Sequence, residues 1–162
     1  MATKPTQVST PPGTGAWRFM ERVDIADVSA PTDVYLRRWY LLETPWFGLK
    51  LHHILRPDAD RALHDHPWSF VALILRGGYT EETADVERGV SWDGSLWQVE
   101  RPTHRPWSLN VKRATDLHRI HVLHGDCWTL VLNGPKRRKW GFSLRPGHWQ
   151  AWDEYLNIED RP

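Results

Sequence analysis

Cysteine is almost absent from this chain. Cys127 is the single cysteine in 162 residues. No intrachain disulfide can form, which excludes a disulfide scaffold and a cysteine-built zinc site. An excess of one charge is missing as well. The 21 Lys and Arg against 20 Asp and Glu leave a net +1, which argues against a strongly basic nucleic-acid binder. No apolar run approaches the ~18 residues of a membrane span, and the N-terminus has no apolar core of a secretory signal. No membrane or nucleic-acid partner is expected, and the cytoplasm is the expected location. The chain also lacks a Gly-rich phosphate loop, a serine nucleophile elbow and a His-Glu-x-x-His pair, so nucleotide hydrolysis by those routes is disfavoured.

Two residue types are abundant instead. There are 11 Trp and 9 His. Trp supplies large core area or an aromatic wall for a ligand, and at this density core is the expected place. His is the commonest metal ligand and the usual acid or base near neutral pH. The length fits one domain. Residues 1–15 (MATKPTQVSTPPGTG) are dominated by Pro, Thr, Gly and Ser and read as a disordered tail. Residues 16–162 form the expected single domain.

From Val34 onward the pattern is short strands and turns. Val34 to Leu42 and Trp46 to Leu55 read as a hairpin broken at Thr44-Pro45. Leu63 to His66 is a short strand stopped by Pro67, and Phe70 to Leu75 (FVALIL) a buried one. Arg76-Gly77-Gly78 turns the chain into Tyr79 to Thr83. After a polar loop from Ala84 to Gly94, strands are expected at Leu96 to Glu100, Trp107 to Val111, His118 to Leu123, Trp128 to Leu132 and Lys139 to Leu144. Helical spacing is confined to Trp149 to Ile158, with Trp149, Trp152, Tyr155 and Leu156 on one face. The fold class is therefore all-β, a sandwich or barrel with a short C-terminal helix, able to hold one small ligand.

The sharpest motif is Leu63-His64-Asp65-His66-Pro67-Trp68. On a strand, residues i and i+2 share a face, so His64 and His66 project together while Asp65 faces away. His118, opening an apolar strand, is the best third ligand. His121 and His104 are the replacements. Three neutral imidazoles leave positions open for water or substrate and suit Fe(II), Zn, Ni, Mn or Cu.

These residues give the chain a resemblance to the cupin superfamily. His64-x-His66 is followed by Phe70 where the family's motif has Glu, and by Gly77 where it has Gly. In the second motif His118 matches, with Arg113 and Thr115 at the Pro and Gly positions. The resemblance covers about Tyr35 to Leu144. It implies a jelly-roll barrel with a three-His metal inside, and a homodimer paired through an edge strand. Within cupins, His-Asp-His without the Glu is similar to the thiol dioxygenases, in which Fe(II) is held by three His. In that family an Arg 26 residues before the first ligand His binds the substrate carboxylate, and Arg38 stands at that separation. The family's Ser-His-Tyr relay falls on Thr129, Val131 and Asn133, and its cross-linking Cys on Val71.

The resulting expectation is a metal-dependent cupin of the non-haem Fe(II) dioxygenase type acting on a small polar substrate. Arg38 orients the substrate, and Tyr79 or Glu81, which share a face by alternation, assist proton transfer. Glu81 is alternatively a fourth ligand. A non-enzymatic cupin that captures a metal or small ligand is the second reading, and a metal-independent isomerase the third. Of the adjacent His52 and His53 only one can face inward, and parity does not choose. Arg56 and Arg76 are further anion candidates. Lys136-Arg137-Arg138-Lys139 is a basic hairpin tip, solvated or phosphate-contacting. Cys127 is expected to be a buried, inert thiol.

Overall fold

The computed structural model describes residues 5–6, 17–27, 30–58, 62–84, 99–143 and 145–155. Among them the strands form two antiparallel sheets. The first runs in the order β1 (Pro5–Thr6), β2 (Arg18–Asp27), β3 (Ala30–Glu43), β4 (Gly48–Ile54), β12 (Cys127–Asn133), β6 (Phe70–Arg76) and β10 (Leu109–Lys112). The second has β14 (Trp149–Ala151), β13 (Gly141–Ser143), β5 (Leu63–His64), β11 (His118–Leu123), β7 (Tyr79–Ala84) and β8 (Val99–Glu100), with β9 (Thr103–His104) also on β7. From β4 to β7 and again from β10 to β13 successive strands alternate between the two sheets, so the chain closes a jelly-roll barrel around one interior.

Alternation decides what enters that interior. In β12 Cys127, Thr129, Val131 and Asn133 are buried, while in β6 Ala72 and Ile74 are. Ile54, Ile74, Tyr79 and Cys127 make a compact cluster, with Leu36, Ile120 and Leu123 packed against it. Each large apolar side chain buried there contributes roughly 1.5–3 kcal/mol. The Arg76-Gly77-Gly78 turn requires glycine: Gly77 has φ 66°, and a Cβ there would stand 2.5 Å from the Asp126 carbonyl oxygen.

Three expectations need correction. First, β2 precedes the region in which strands were anticipated. Its sequence mixes Arg, Glu and Asp with apolar residues, as an outer strand tolerates, and its pairing with β3 supplies what the pattern lacks. Second, the helix expected over Trp149 to Ile158 begins as strand β14, paired with β13. Only Trp152–Tyr155 (α1) is helical, because ladder bonds to Gly141 and Ser143 override the 3.6-residue spacing. Third, no described tryptophan is fully buried. Trp17, Trp46 and Trp107 stand open to solvent, and the core is built from smaller side chains. Residues 85–94 of the expected loop, Leu96 to Gln98 and residues 156–158 lie outside the described residues. So does most of the expected tail, of which Pro5–Thr6 pair with Ala26 and Asp27.

Asp65 pins the end of the second sheet. Its side chain, 2% exposed, points away from the interior. It accepts from the Gly141 amide at 2.8 Å, from Trp149 Nε1 at 2.9 Å and from Arg138 Nη1. One carboxylate thereby ties β5 to β13, β14 and the preceding loop. Arg138 also donates to the Ala114 carbonyl at 3.0 Å, and Lys139 pairs with Asp153 at 2.6 Å. Half of the basic run is thus engaged inside the molecule, and Lys136 and Arg137 alone of its members lack a carboxylate among the described residues. Asp65→Ala leaves three donors without their acceptor. Urea unfolding is expected to show a loss of about 3 kcal/mol. Asp65→Asn, which keeps an acceptor oxygen, is expected to lose about half as much.

Candidate metal centre

Three imidazoles meet inside the barrel. His64 lies on β5, and His66 follows two residues later, held by its amide to the Ala114 carbonyl at 3.1 Å. His118 opens β11, whose register sets it directly opposite His64. The three rings are 4.9–5.2 Å apart centre to centre. One ligand nitrogen from each lies within 4.8 Å of the others, and His66 Nε2 is 2.8 Å from His118 Nε2. Burial, then the neighbouring His118, His64, Arg38 and His52, hold His66 well below the ordinary imidazole range. It is therefore neutral, the form that ligates metal. A set of three imidazoles, with no thiolate or carboxylate among the clustered donors, suits Fe(II), Zn, Ni, Mn or Cu and leaves open positions. The donors fit a divalent metal.

Behind His118 sits a fully buried carboxylate. Glu81 Oε2 is 2.8 Å from His118 Nδ1, on the ring atom turned away from the other two imidazoles. Glu81 Oε1 is 2.9 Å from His104 Nε2 and 2.6 Å from Lys112 Nζ, and Asn110 Nδ2 donates to Oε2 at 3.2 Å. Burial alone would raise the Glu81 pKa. Hydrogen bonds from His104 and His118 and the charge of Lys112 outweigh it and hold the group well below the ordinary carboxylate range. The ionised carboxylate fixes the His118 proton on Nδ1 and frees Nε2 to ligate. Glu81 does not line the cavity. The structure places it behind His118, away from the cavity.

The cavity before the imidazoles has a volume of about 180 Å³. Arg38 and Tyr79 line it with His64, His66 and His118, as do Lys50 and His52. Arg38 donates from Nε to His52 Nε2 at 3.0 Å and has no carboxylate partner among the described residues. Burial, then Arg38 and Lys50, keep His52 well below its ordinary range, so it accepts as a neutral ring. Lys50 is 1% exposed, 3.1 Å from Glu43 Oε2, with its ammonium 4.1 Å from the centre of the Trp68 ring. Burial, then Arg38, lowers its pKa to about 8 against the pull of Glu43. The Tyr79 hydroxyl accepts from Asn110 at 2.8 Å, and burial raises it above the ordinary phenol value.

The remaining candidates fall elsewhere. His53 faces outward, stacked on Trp128 at 4.2 Å and bonded to Asp126 at 2.6 Å. His52 is the inward member of that pair. Arg56 pairs with Asp33 at 3.0 Å and Arg76 with Asp126 at 3.0 Å, both off the cavity. His121, His124 and His148 are exposed. Thr129 and Val131 line the cavity, whereas Asn133 does not. Cys127 is buried, and burial pushes its thiol up to about 11, so it is inert. Sequence reasoning missed Lys112, Asn110 and Lys50, and it offered His104 only as a replacement metal ligand, whereas the structure sets His104 against Glu81. Lys112, Asn110 and His104 converge on Glu81 only through the pairing of β7 with β9 and the packing of β10 across the barrel. Lys50 carried one signal, its shared parity with His52 and Ile54.

No protein-family model and no curated protein matches the sequence. Solved structures do match by shape. HppE, a cupin-fold protein solved with Fe(II) and its substrate, is 11% identical with a TM-score of 0.52. The match covers 75% of this chain, which spans 65% of the HppE chain, just under two thirds of its length. The polyketide cyclase RemF from Streptomyces resistomycificus is 14% identical (TM-score 0.49, 76% of this chain and 79% of that one). An RmlC-like cupin from Shewanella frigidimarina is 9% identical (TM-score 0.47, 83% and 96%). With two antiparallel sheets wrapped around a three-His cluster, and with HppE superposing on that framework, this chain has the cupin fold.

Proposed function

We propose that this chain is a metal-dependent enzyme of the non-haem Fe(II) dioxygenase type that acts on a small anionic molecule. The observation that carries the reading is the pairing, in one cavity, of the His64, His66 and His118 cluster with the cationic wall of Arg38 and Lys50. His64, His66 and His118 hold the metal. When bound, Fe(II) supplies redox chemistry with dioxygen at positions the three imidazoles leave open. HppE, which shares the fold, was solved with Fe(II) and with Co(II), and this supports a divalent transition metal of which iron is one.

The chain's own residues do the rest. Glu81 orients His118 and keeps its proton on Nδ1. The Arg38 guanidinium offers its Nη2 group to an anion, while its Nε donates to His52 and its Nη1 to the Tyr40 hydroxyl at 3.5 Å. Lys50 adds a second positive charge on the same wall. Trp68, Phe70 and Trp140 line the cavity and exclude water around the bound molecule. Tyr79 stays protonated and can donate one hydrogen bond, but burial keeps it from acting as a base at neutral pH. That last observation favours the second reading, a cupin that binds its ligand without turnover. The two readings part on oxygen uptake: consumption with a small anionic substrate supports the enzyme, and tryptophan quenching without consumption supports the binding protein.

Elemental analysis of untagged protein is expected to find about one divalent metal per chain, lost in His64→Ala and in His118→Ala. No metal after reloading with Fe(II) or Zn would overturn the site. Glu81→Gln is expected to weaken metal affinity by about 10- to 100-fold, read by chelator competition, while leaving one metal bound at saturation. Anion binding to the Zn-loaded protein, followed by calorimetry with inorganic phosphate, is expected to weaken by about tenfold as the pH rises from 7 to 9. The sign follows from Lys50. It is charged below about 8 and neutral above, with Arg18, Arg38, Tyr40 and Glu43 facing it from β2 and β3, and His52 on its own strand. Lys50→Met should flatten that dependence, and Arg38→Gln should weaken binding at every pH. Unchanged binding in both variants would remove the anionic substrate.

A further inference from the structure

Among the described residues Lys50 has the largest fully buried side chain, and it lines the cavity. Its Nζ is sealed from water and has no acceptor in hydrogen-bond alignment. Glu43 Oε2 stands 3.1 Å away, itself buried and out of line. The nitrogen otherwise faces aromatic rings, with the centre of Trp68 at 4.1 Å and that of Tyr40 at 5.3 Å. A lysine kept only to neutralise Glu43 would be expected to hydrogen-bond it, and here both atoms are left without such a bond. The second cation, Arg38, lines the same cavity and opposes the charge on Lys50. Lack of water, lack of acceptors and a like charge all favour the free amine. Lys50 accordingly loses its proton at about pH 8. At pH 7 it then carries roughly 300-fold more free amine than an ordinary exposed lysine. A lysine in an apolar pocket beside another cation is an activated nucleophile.

We propose that Lys50 is a covalent binding site for small oxo acids, its amine condensing with their carbonyl carbon while Arg38 holds their carboxylate. The two side chains read the two functional groups of one molecule. The Nζ turns off the Trp68 face, a motion that the flexible lysine stem allows. Its lone pair forms the C–N bond while the carbonyl π pair moves to oxygen. Glu43 takes the two Nζ protons one after the other and passes them to that oxygen. The oxygen leaves as water as the second C–N bond closes. Amine and carbonyl thus give imine and water, and nothing is oxidised or reduced. Trp68 and Phe70, on the cavity wall, keep water from hydrolysing the product. The carboxylate half of the assignment rests on the anionic reading of the Arg38 wall given above. The amine chemistry does not, and neither half needs the metal.

Reductive trapping of the full chain tests it. The protein is incubated with pyruvate and cyanoborohydride at neutral pH, acetone replaces pyruvate in a parallel reaction, and the modified lysines are mapped by peptide mass spectrometry. Lys50 is expected to take up pyruvate at least about tenfold faster than Lys136, although Lys136 is exposed and Lys50 is not. The same labelling is expected after chelator treatment. Acetone has the carbonyl without the carboxylate. The pyruvate-to-acetone ratio at Lys50 is expected to exceed that at Lys136 by roughly tenfold, and Arg38→Gln to abolish the difference. Labelling that misses Lys50, or that reaches Lys136 and Lys139 as readily, overturns the proposal. If phosphate still binds in that case, the anionic reading survives it. Equal ratios at Lys50 and Lys136 overturn the oxo-acid assignment.

Discussion

The register that sets His118 opposite His64 is the constraint on which the site depends. Fifty-four positions separate the two residues, and no local preference brings them together. β11 does so by pairing with β5 on one side and β7 on the other. That second pairing places Glu81, on β7, beside the Nδ1 of His118. A slip of one residue along β11 would put Arg119 in the interior and His118 in solvent, since successive side chains face opposite ways. The actual register sends Arg119 outward to Glu82, which it meets at 2.5 Å. The two neighbouring carboxylates of β7 therefore have opposite roles. Glu81 serves the interior histidine and Glu82 the surface arginines, and alternation alone separates them.

A fully buried carboxylate is costly unless several donors meet it. Glu81 meets four: His118, His104, Lys112 and Asn110. They come from three strands, β9, β10 and β11, which belong to both sheets, so the charge draws the barrel wall together around His118. Such a network resists loss of any single member, because each remaining donor was itself desolvated in order to reach the carboxylate. Asp65 repeats the device on the far side of β5 with three donors from the other end of the sheet. The tripeptide His64-Asp65-His66 thus couples the site to the scaffold. Its imidazoles face the cavity, and its carboxylate fastens the strand that carries them.

Much of this was legible in the sequence. The i, i+2 rule placed His64 and His66 together and Asp65 away from them, and the apolar strand after His118 marked the third ring. Hydrophobic runs located β4, β6, β11 and β12 within a residue or two, since each is a central strand with a distinctive pattern. β2 was missed because an outer strand with Arg, Glu and Asp carries no such pattern. The C-terminal helix was over-read because Trp149, Trp152, Tyr155 and Leu156 satisfy helical spacing, while ladder bonds to β13 decide otherwise for the first three residues. Lys112 and Asn110 carried no signal at all, and His104 was read only as a reserve ligand. Their convergence on Glu81 is purely a matter of tertiary pairing. Parity could sort Lys50, His52 and Ile54 onto one face of β4, but only the closed barrel says that this face is the inner one.

That inner face holds a further lesson about the sheet. β4 turns Lys50 and His52 inward and Leu49 and Leu51 outward, and β12 turns Thr129 and Asn133 inward and Leu130 and Leu132 outward. A sheet optimised only for monomer stability would reverse this, burying leucine and exposing lysine. Both departures have physical consequences. Polar and charged groups inside lower the hydrophobic contribution of the barrel but create a cavity in which a cation such as Lys50 acts with little screening by water. Leucines outside leave apolar area in contact with solvent, a cost that disappears when a second surface covers it. The same alternation that turns Lys50 and His52 into the cavity therefore turns leucines out to solvent.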